Sequence, residues 1–515
     1  MIRRALPFAV FLSAMGSLSV ELAIVRLGAP YVGQSLLPWS AAIASVLIGL
    51  TAGHGLGGVV GGEAANRRAL RVWLGLVWLG GACGAALMPL LVGQAARIFA
   101  GDGGFGPGAV LAVAALAAPP SFAAGFVAPL AVRLAARWPG LDLSRAVGAI
   151  YAASAAGSVA GTVLAGFVLL ETVGAAGLAG AVALLWLGLG VAVLPWRRMP
   201  MARAGLAGCL VAAAVLPLAM LRGQGVCRYE SRYTCIRLLD RALPGGGLLR
   251  FMILDEGVHS ASDRDHPQHL HLGYAALTDR LARAALARAG NPRALVIGGG
   301  GATLPRAWAA MAPAVDVTSI ELDPVVARVA AVEMWAAAQS RLTTVTGDGR
   351  AVVRAMPAVP RFDVVLMDAY RTRSVPPHLV SREFGAMVAA RMTGQGVFLS
   401  NVIDRSGTPL LALAIARTLS ESFAAVDLWI ADHDAGDGTN VVVAAWKDGA
   451  VAFRPAAQGV TATVMAAGGA AHPQRVVWRR IDVKARTRRW PHACAALLTD
   501  DWTPVDRLLA GRPVC

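Results

Sequence analysis

Lysine is almost missing from this 515-residue chain: only Lys447 and Lys484 occur, so arginine supplies nearly all of the 47 basic residues. Acids are missing from one region. Before residue 222 the only ones are Glu21, Glu63, Asp102, Asp142 and Glu171. Charged residues make up 15% of the chain and hydrophobic residues 56%, whereas roughly 25% of an average soluble chain is charged. That argues against a wholly soluble protein of this size. The net charge of +16 does not make a nucleic-acid binder. The arginines are scattered and no basic stripe is interleaved with aromatics, although Arg475 to Arg489 is locally basic. No nucleic-acid partner is expected.

The apolar excess is concentrated in residues 1–222, as runs near 6–28, 37–60, 71–94, 107–134, 147–170, 173–195 and 203–221. About 20 apolar residues in a helix span the roughly 30 Å hydrocarbon layer, so seven spans are expected. The first is long, contains Glu21 and Arg26 and is followed by more spans, which reads as a retained helix and not a signal peptide. Pro119-Pro120 should kink or break the fourth. Glycine and alanine from Gly49 to Gly62 and Gly157 to Gly166 let helices approach closely. Glu21 at membrane depth is either a site or a structural partner in the bundle, with Arg26 snorkelling near the helix end.

The connections alternate in charge. Arg3-Arg4, Arg67-Arg68 with Arg71, Arg133 with Arg137 and Arg145, and Arg197-Arg198 with Arg203 are basic. The turns near 30–36 and 171–174 carry no arginine or lysine, and the one near 96–106 carries one. The positive-inside rule places the basic set in the cytoplasm. Seven spans would put the remaining chain on the outer side. The expectation is a multi-pass protein of the cell membrane, of bacterial inner-membrane type, with the lipid bilayer as a partner and the side of the second half open.

Residues 223–515 have ordinary globular composition. Ala294 to Ile297 reads as a strand, Gly298-Gly299-Gly300-Gly301 as a turn, and Thr303 as the cap of a helix. A second strand ends at Glu321. Glycines allow unusual dihedrals and close approach of backbone to ligand. An acid about 20 residues further on can accept hydrogen bonds from ribose hydroxyls. Asp323-Pro324 opens a helix, Gly347-Asp348-Gly349 follows a third strand, and Phe362 to Met367 is a fourth, ending at Asp368. Carboxylates at three successive strand ends point into one crevice of an open α/β sheet. Glu321 fits the ribose, Asp348 the adenine amino group, and Asp368 a base. A solvated strand end, a turn residue and a helix cap are the plain alternatives.

These motifs resemble those of the polyamine aminopropyltransferases, the spermidine synthase family. The likeness covers about residues 226–450, through Ile297-Gly298-Gly299-Gly300, Ile320-Glu321-Leu322-Asp323, Gly347-Asp348-Gly349 and Phe362-Asp363-Val364. Upstream, Glu230-Ser231, Tyr233, Ile236 and Leu254-Asp255 resemble that family's small β-stranded region. Asp368-Ala369-Tyr370, Val375 to Leu379 and Glu383-Phe384 are similar to its membrane-fused members. The resemblance implies a Rossmann-like sheet of the class I methyltransferase type, seven-stranded, behind an all-α membrane bundle. The expected divisions are 1–222, a small β region at 223–290 and the transferase at 291–515.

The resemblance also implies an aminopropyl transfer from decarboxylated S-adenosylmethionine to an amine such as putrescine, with Asp368 as base. Gly298, Gly299, Gly300, Glu321, Asp348 and Gly349 would hold the donor, and His259, Tyr274 and Tyr370 the acceptor. The nucleoside is a co-substrate; no tightly bound cofactor and no metal is implied, and there is room for a homodimer. The chain departs from the family at Gly301, Arg371, Ala275-Ala276 and His259, where that family carries Asp, an acid, His-Glu and Gln. Lost acids weaken the case for a polyamine acceptor. Arg371 and Arg373 would suit S-adenosylmethionine-dependent methylation of an anionic or membrane-associated acceptor, and a nucleoside-binding sensor or transporter is a third reading.

Three smaller features complete the sequence. His266, His269 and His271 follow Asp263 and Asp265, in a spacing that fits no standard zinc pattern and reads as a polar loop. Cys227, Cys235, Cys494 and Cys515 are either reduced thiols or two disulfides of an oxidising compartment. The acidic segment Leu498 to Asp506 reads as a solvated turn, the alternative being a flap over the sheet that supplies acceptor contacts.

Overall fold

The computed structural model describes residues 2–34, 36–60, 62, 66–99, 107–137, 142–194, 226–243, 246–370, 374–405, 407–431, 437–455, 460–464, 474–482 and 496–514. The chain divides into two compact units, Met1–Arg237 and Leu238–Cys515.

The first unit is helical: α1 (Ile2–Val32), α2 (Leu36–Val60), α3 (Arg67–Ile98), α4 (Pro107–Ala115), α5 (Ala118–Ala136), α6 (Leu143–Leu164), α7 (Leu170–Thr172) and α8 (Gly174–Val193). Six segments among the described residues are long and apolar enough to cross a membrane. The seventh expected span, 203–221, lies outside the described residues. The break in the fourth span falls at Leu116 and Ala117, so that Pro119 and Pro120 occupy the first turn of α5. There the missing N–H has no helical acceptor to lose. A π-helical turn, Ala165–Leu169, joins α6 to α7.

Glycine sets the packing of this unit. A Cβ on Gly157 or Gly161 would strike the carbonyl oxygens of Phe11 or Met15 in α1, and one on Gly49 or Gly53 would strike those of Ala118 or Phe122 in α5. Helix backbones thus touch directly, as the small-residue runs imply. Arg26 differs from its expected snorkelling role. It is 5% exposed, and its two terminal nitrogens donate to the carbonyls of Tyr233 (2.7 Å) and Ser231 (2.6 Å). Gln34 also donates to Tyr233 (3.3 Å), Arg232 pairs with Glu171 (2.6 Å), and Glu230 accepts from the Ala175 N–H (3.0 Å). Residues 230–234 therefore lie at the end of the bundle that holds the arginine-poor turns. At the other end Arg67 donates to the Arg137 carbonyl and Arg71 to that of Val193. Cys227 and Cys235 form a disulfide (Cα–Cα 5.3 Å); Cys209, Cys494 and Cys515 lie outside the described residues.

A four-stranded sheet follows, in the order β1 (Tyr229–Glu230), β2 (Cys235–Ala242), β3 (Leu248–Leu254), β4 (Gly257–Asp263). The larger sheet contains β5 (Arg293–Ile297), β6 (Asp316–Glu321), β7 (Leu342–Thr346), β8 (Phe362–Met367), β9 (Met392–Arg405), β10 (Ala425–Ala431), β11 (Asp437–Trp446), β12 (Val460–Val464) and β13 (Gln474–Asp482). Its order is β12-β13-β10-β11-β9-β8-β5-β6-β7. The seven strands of the expected sheet run from β10 to β7; β13 pairs antiparallel with β10 and β12 with β13, which extends the sheet to nine. β5, β6, β7, β8 and β9 are parallel.

Parallel strands covered on both faces read as unbroken apolar runs, and β8 is buried at every residue. Alternation then divides the core. Leu295, Ile297, Val365 and Met367 join one cluster with Leu411 and Ile415. Ala294, Val296, Val364 and Leu366 join the other with Leu281 and Trp308. Each fully buried large apolar side chain contributes about 1.5–3 kcal/mol.

The C-terminal segment is docked, contrary to the solvated turn read from sequence. Leu498, Val505 and Leu508 enter the first of these clusters. Asp500 takes two hydrogen bonds from Arg350 (2.6 and 2.5 Å) and one from Ser381 (2.6 Å). Those charge-assisted bonds hold the Asp500 carboxyl down at about 2. The segment packs against the helices rather than over the cleft.

Candidate functional site

β5 lies between two parallel neighbours, β6 and β8, so chain leaves its C-terminal end beside a crevice of the type where open α/β sheets bind ligands. A solvent-open cleft of about 1030 Å³ lies there, lined by β4 residues, the glycine turn, Tyr274, Asp368, Tyr370 and Asn401.

The turn after β5 requires glycine at two positions. Gly298 has φ +89° and Gly300 φ +50°. A Cβ on Gly298 would lie 2.5 Å from the Ala369 Cα and the Asp368 carbonyl oxygen. Gly301, where an acid was the family expectation, has its own reason: a Cβ there would meet the Ser260 Cβ at 2.6 Å. Every amide of the turn is engaged. Gly298 and Gly299 donate to the Ile320 carbonyl (2.9 and 3.3 Å). Gly300 donates to Glu321 Oε2 (2.8 Å) and Gly301 to Ser260 Oγ (2.8 Å). A phosphate would find these donors taken and a carboxylate beside them, unlike the open amides of a dinucleotide-binding turn. Thr303 is the first residue of the next helix, Thr303–Ala309, and not its cap. Its hydroxyl donates to the Ala261 carbonyl (3.3 Å), and Ala302 occupies the cap position at φ +56°.

Asp368 follows β8. Asn401 Nδ2 donates to its Oδ1 (2.9 Å) and the Tyr274 hydroxyl to its Oδ2 (3.3 Å). Desolvation nonetheless pushes its carboxyl up to about 7, against the pull of those two bonds. His259, on β4, is pushed down to about 4 by the same loss of water, so its ring is neutral near pH 7. The Tyr370 hydroxyl donates to the Asn401 carbonyl (2.5 Å) and accepts from the Ile403 N–H (3.0 Å). That locks the tyrosine in place.

The expected residues therefore fall into two groups. Gly298, Gly299, Gly300, His259, Tyr274, Tyr370 and Asp368 line one cleft. Glu321 joins it through the Gly300 amide and also accepts from the Asp323 N–H (3.0 Å); burial raises its carboxyl. Asp348 and Gly349 are at the end of β7, outside the cleft lining. Asp348 caps the helix Gly349–Ala355 through the Ala351 N–H (2.8 Å) and contacts His378 Nε2 at 3.0 Å; helix-cap and His378 bonds hold its carboxyl low. Gly349 is small because Ile297 Cγ2 lies 2.5 Å from where its Cβ would be. Arg371 and Arg373 lie outside the described residues.

Asn401, Ser260 and Glu256 also line the cleft and were not singled out in the sequence. Asn401 carried a signal: an amide inside the apolar strand β9, where buried polar groups are kept for a partner. It is 2% exposed and its Oδ1 has no hydrogen-bond partner. Among the described lining residues there is no lysine or arginine, while Glu256 and Asp368 are acids. This cleft suits a cation.

Two curated proteins are similar to parts of this chain. The chain is 31% identical over 115 residues to a polyamine aminopropyltransferase of Vibrio vulnificus, covering 22% of this chain and 38% of that protein. It is 27% identical over 237 residues to a probable polyamine aminopropyl transferase of Bifidobacterium longum, covering 44% and 51%. Each of these likenesses covers less than half of this chain. The chain spans about four-tenths to half the length of these relatives. Among solved structures, a probable spermidine synthase from Corynebacterium glutamicum aligns with a TM-score of 0.41 at 19% identity, over 53% of this chain and 95% of that one. No protein-family model matches the chain.

Proposed function

We propose that residues 238–515 form an aminopropyltransferase that moves the propylamine group of decarboxylated S-adenosylmethionine to a neutral amine, putrescine being the acceptor to test first. The observation that carries this is the pairing of an acid-lined cleft, with no arginine among its described lining residues, with a carboxylate poised near neutrality. Glu321 would hold the ribose hydroxyls, Asp348 the adenine edge, and Gly298 to Gly300 would pass beside the tail of the donor. A donor that kept its carboxylate would bring a further negative charge to a cleft lined by Glu256 and Asp368.

In the transfer the amine lone pair attacks the methylene carbon next to the sulfonium. The carbon–sulfur bond breaks, its electron pair stays on sulfur, and 5′-methylthioadenosine leaves. Asp368 accepts the proton lost by the new secondary ammonium, which is general-base catalysis. Tyr274 and Asn401 orient its carboxylate, and neutral His259 adds no positive charge against the incoming amine.

The test offers purified protein either form of the donor, with putrescine or with a membrane extract. 5′-Methylthioadenosine and spermidine support the proposal. S-Adenosylhomocysteine instead would make it a methyltransferase, and tight nucleoside binding without turnover would make it a sensor.

We further propose a multi-pass membrane location with the chain at 228–237 on the outer side. Support comes from residues 230–234, which bond to the bundle end of Gln34, Glu171 and Ala175, opposite the arginine-rich end. The Cys227–Cys235 disulfide suits that side. A reporter fused after residue 515 reads the side directly; activity of a cytoplasm-only reporter would reverse the assignment.

A further inference from the structure

The structure assigns a transition-metal site to Asp263, His266, His269 and His271, in the loop that joins β4 to the helix Gly273–Leu286. Sequence spacing alone reads this stretch as a polar loop. The fold changes the geometry by turning the loop around one carboxylate. Asp263 is the last residue of β4 and 2% exposed. Its Oδ1 accepts the backbone N–H groups of Asp265 (3.0 Å) and His266 (2.9 Å), which fixes its rotamer. The His269 N–H bonds to the His266 carbonyl (2.9 Å) and closes the turn.

Three imidazole nitrogens then face this carboxylate. His266 Nδ1 is 3.7 Å from Oδ1, His269 Nδ1 3.9 Å from Oδ2, and His271 Nε2 3.6 Å from Oδ2. The ligand atoms of Asp263, His266 and His269 all lie within 4.8 Å of one another. The rings of His266 and His269 stack, with centroids 4.8 Å apart and planes at 14°, so one ring must turn for both Nδ1 lone pairs to meet on one ion. His271 Nε2 is buried and has no hydrogen-bond partner. A tetrahedral ion with bonds of roughly 2.0–2.1 Å sets its ligand atoms about 3.4 Å apart. The separations from Asp263 exceed that by only a few tenths of an ångström, and His266 and His269 are exposed enough to adjust.

Three imidazoles and one carboxylate suit Zn²⁺, or Ni²⁺ and Cu²⁺ in its absence, and do not suit Mg²⁺ or Ca²⁺, which take mostly oxygen. Asp263, His266 and His269 are the mutually close set, and His271, 3.6 Å from the carboxylate, would close the shell of a structural ion. It would tie β4, which carries His259 and Ser260, to the helix start that carries Tyr274, and both elements line the cleft. The nearby Arg306 is already committed to the backbone carbonyls of Asp263 and Arg264, which leaves the Asp263 carboxylate to the ion.

The test uses full-length protein in detergent, without a histidine tag and stripped with a chelator. Titration with zinc chloride, read by calorimetry and elemental analysis after desalting, should give one retained equivalent per chain. His266→Ala combined with His269→Ala should lose it, and His54→Ala in α2 should keep it. Cobalt substitution should give the visible bands of a four-coordinate ion, weakened by His271→Ala. Failure of the wild-type protein to retain zinc overturns the assignment whether or not the variants fold. So does an equivalent that persists in the double variant.

Discussion

The glycines of the two units have opposite purposes. In the helical unit they remove side chains so that helix backbones can meet: Gly157 and Gly161 face α1, and Gly49 and Gly53 face α5. Their backbone is ordinary helix, and the space they vacate is filled. In the glycine turn, Gly298 and Gly300 take positive φ and line the cleft, and Gly298 also lets the backbone of Asp368 and Ala369 come close. The same residue type closes one region and opens the other. The surrounding residues decide which: apolar neighbours in the bundle, strand-end carboxylates at the cleft.

The largest expected effect is at the chemistry of the cleft. Asp368→Asn should lower kcat/KM by about 10²- to 10⁴-fold, the span of general-base catalysis, while calorimetry shows the donor still bound. Retained turnover would move the base elsewhere. Next comes the bundle. Gly157→Leu drives a side chain into the Phe11 backbone, and overpacking costs about 1–3 kcal/mol. It should lower the Tm of the detergent-solubilised protein and leave donor affinity unchanged, whereas Gly298→Leu should abolish donor binding. If both variants lost binding equally, the contrast between the two sets of glycines would collapse.

Glu321→Gln should weaken nucleoside binding by roughly 10- to 100-fold, since hydrogen bonds to a charged group are worth about 1.5–3 kcal/mol. An unchanged dissociation constant would remove it from the ribose role. The pH profile is subtler. With the Asp368 carboxyl at about 7, and the base required in its ionised form, kcat/KM should rise with pH through a midpoint near that value. Asn401→Ala removes a bond that stabilises the carboxylate, so the midpoint should move to higher pH; a downward move would contradict the geometry. The same raised carboxyl means that the fold takes up a proton between its unfolded value near 4 and about 7, and stability declines as pH rises through that window. Smallest is Asp500→Asn. It is a half-exposed partner of Arg350, so a loss on the order of 1 kcal/mol or less is expected, seen as a slight fall in Tm with unchanged kinetics.

Much of this was legible along the chain because it is local. Apolar runs of membrane length announce helices wherever they pack. The alternation of glycine turn, strand and terminal acid from Ala294 to Asp368 identifies a parallel sheet with its crevice. What misled was equally local. Asp348-Gly349 follows its strand as Glu321 does, yet one of its carboxylate oxygens also caps a helix, a task the motif does not announce. Leu498 to Asp506 is acidic and turn-rich, yet three apolar residues among Leu498, Val505 and Leu508 anchor that stretch in the core. Nothing in a short window distinguishes a carboxylate aimed at a ligand from one aimed at its own helix.

The sequence by itself determined the two regions, the strand-end acids and the donor-side likeness, since composition, span length and strand period require no distant partner. Only the tertiary structure decided which side chains meet. Asp368 finds Tyr274 across 94 positions and Asn401 across 33. Arg26 finds the Ser231 carbonyl across 205. The Asp263 carboxylate gathers three histidines that the linear spacing left as a loop. Such meetings depend on where the chain crosses itself, and on burial, which pushes the carboxyl of an ordinary aspartate up to about 7.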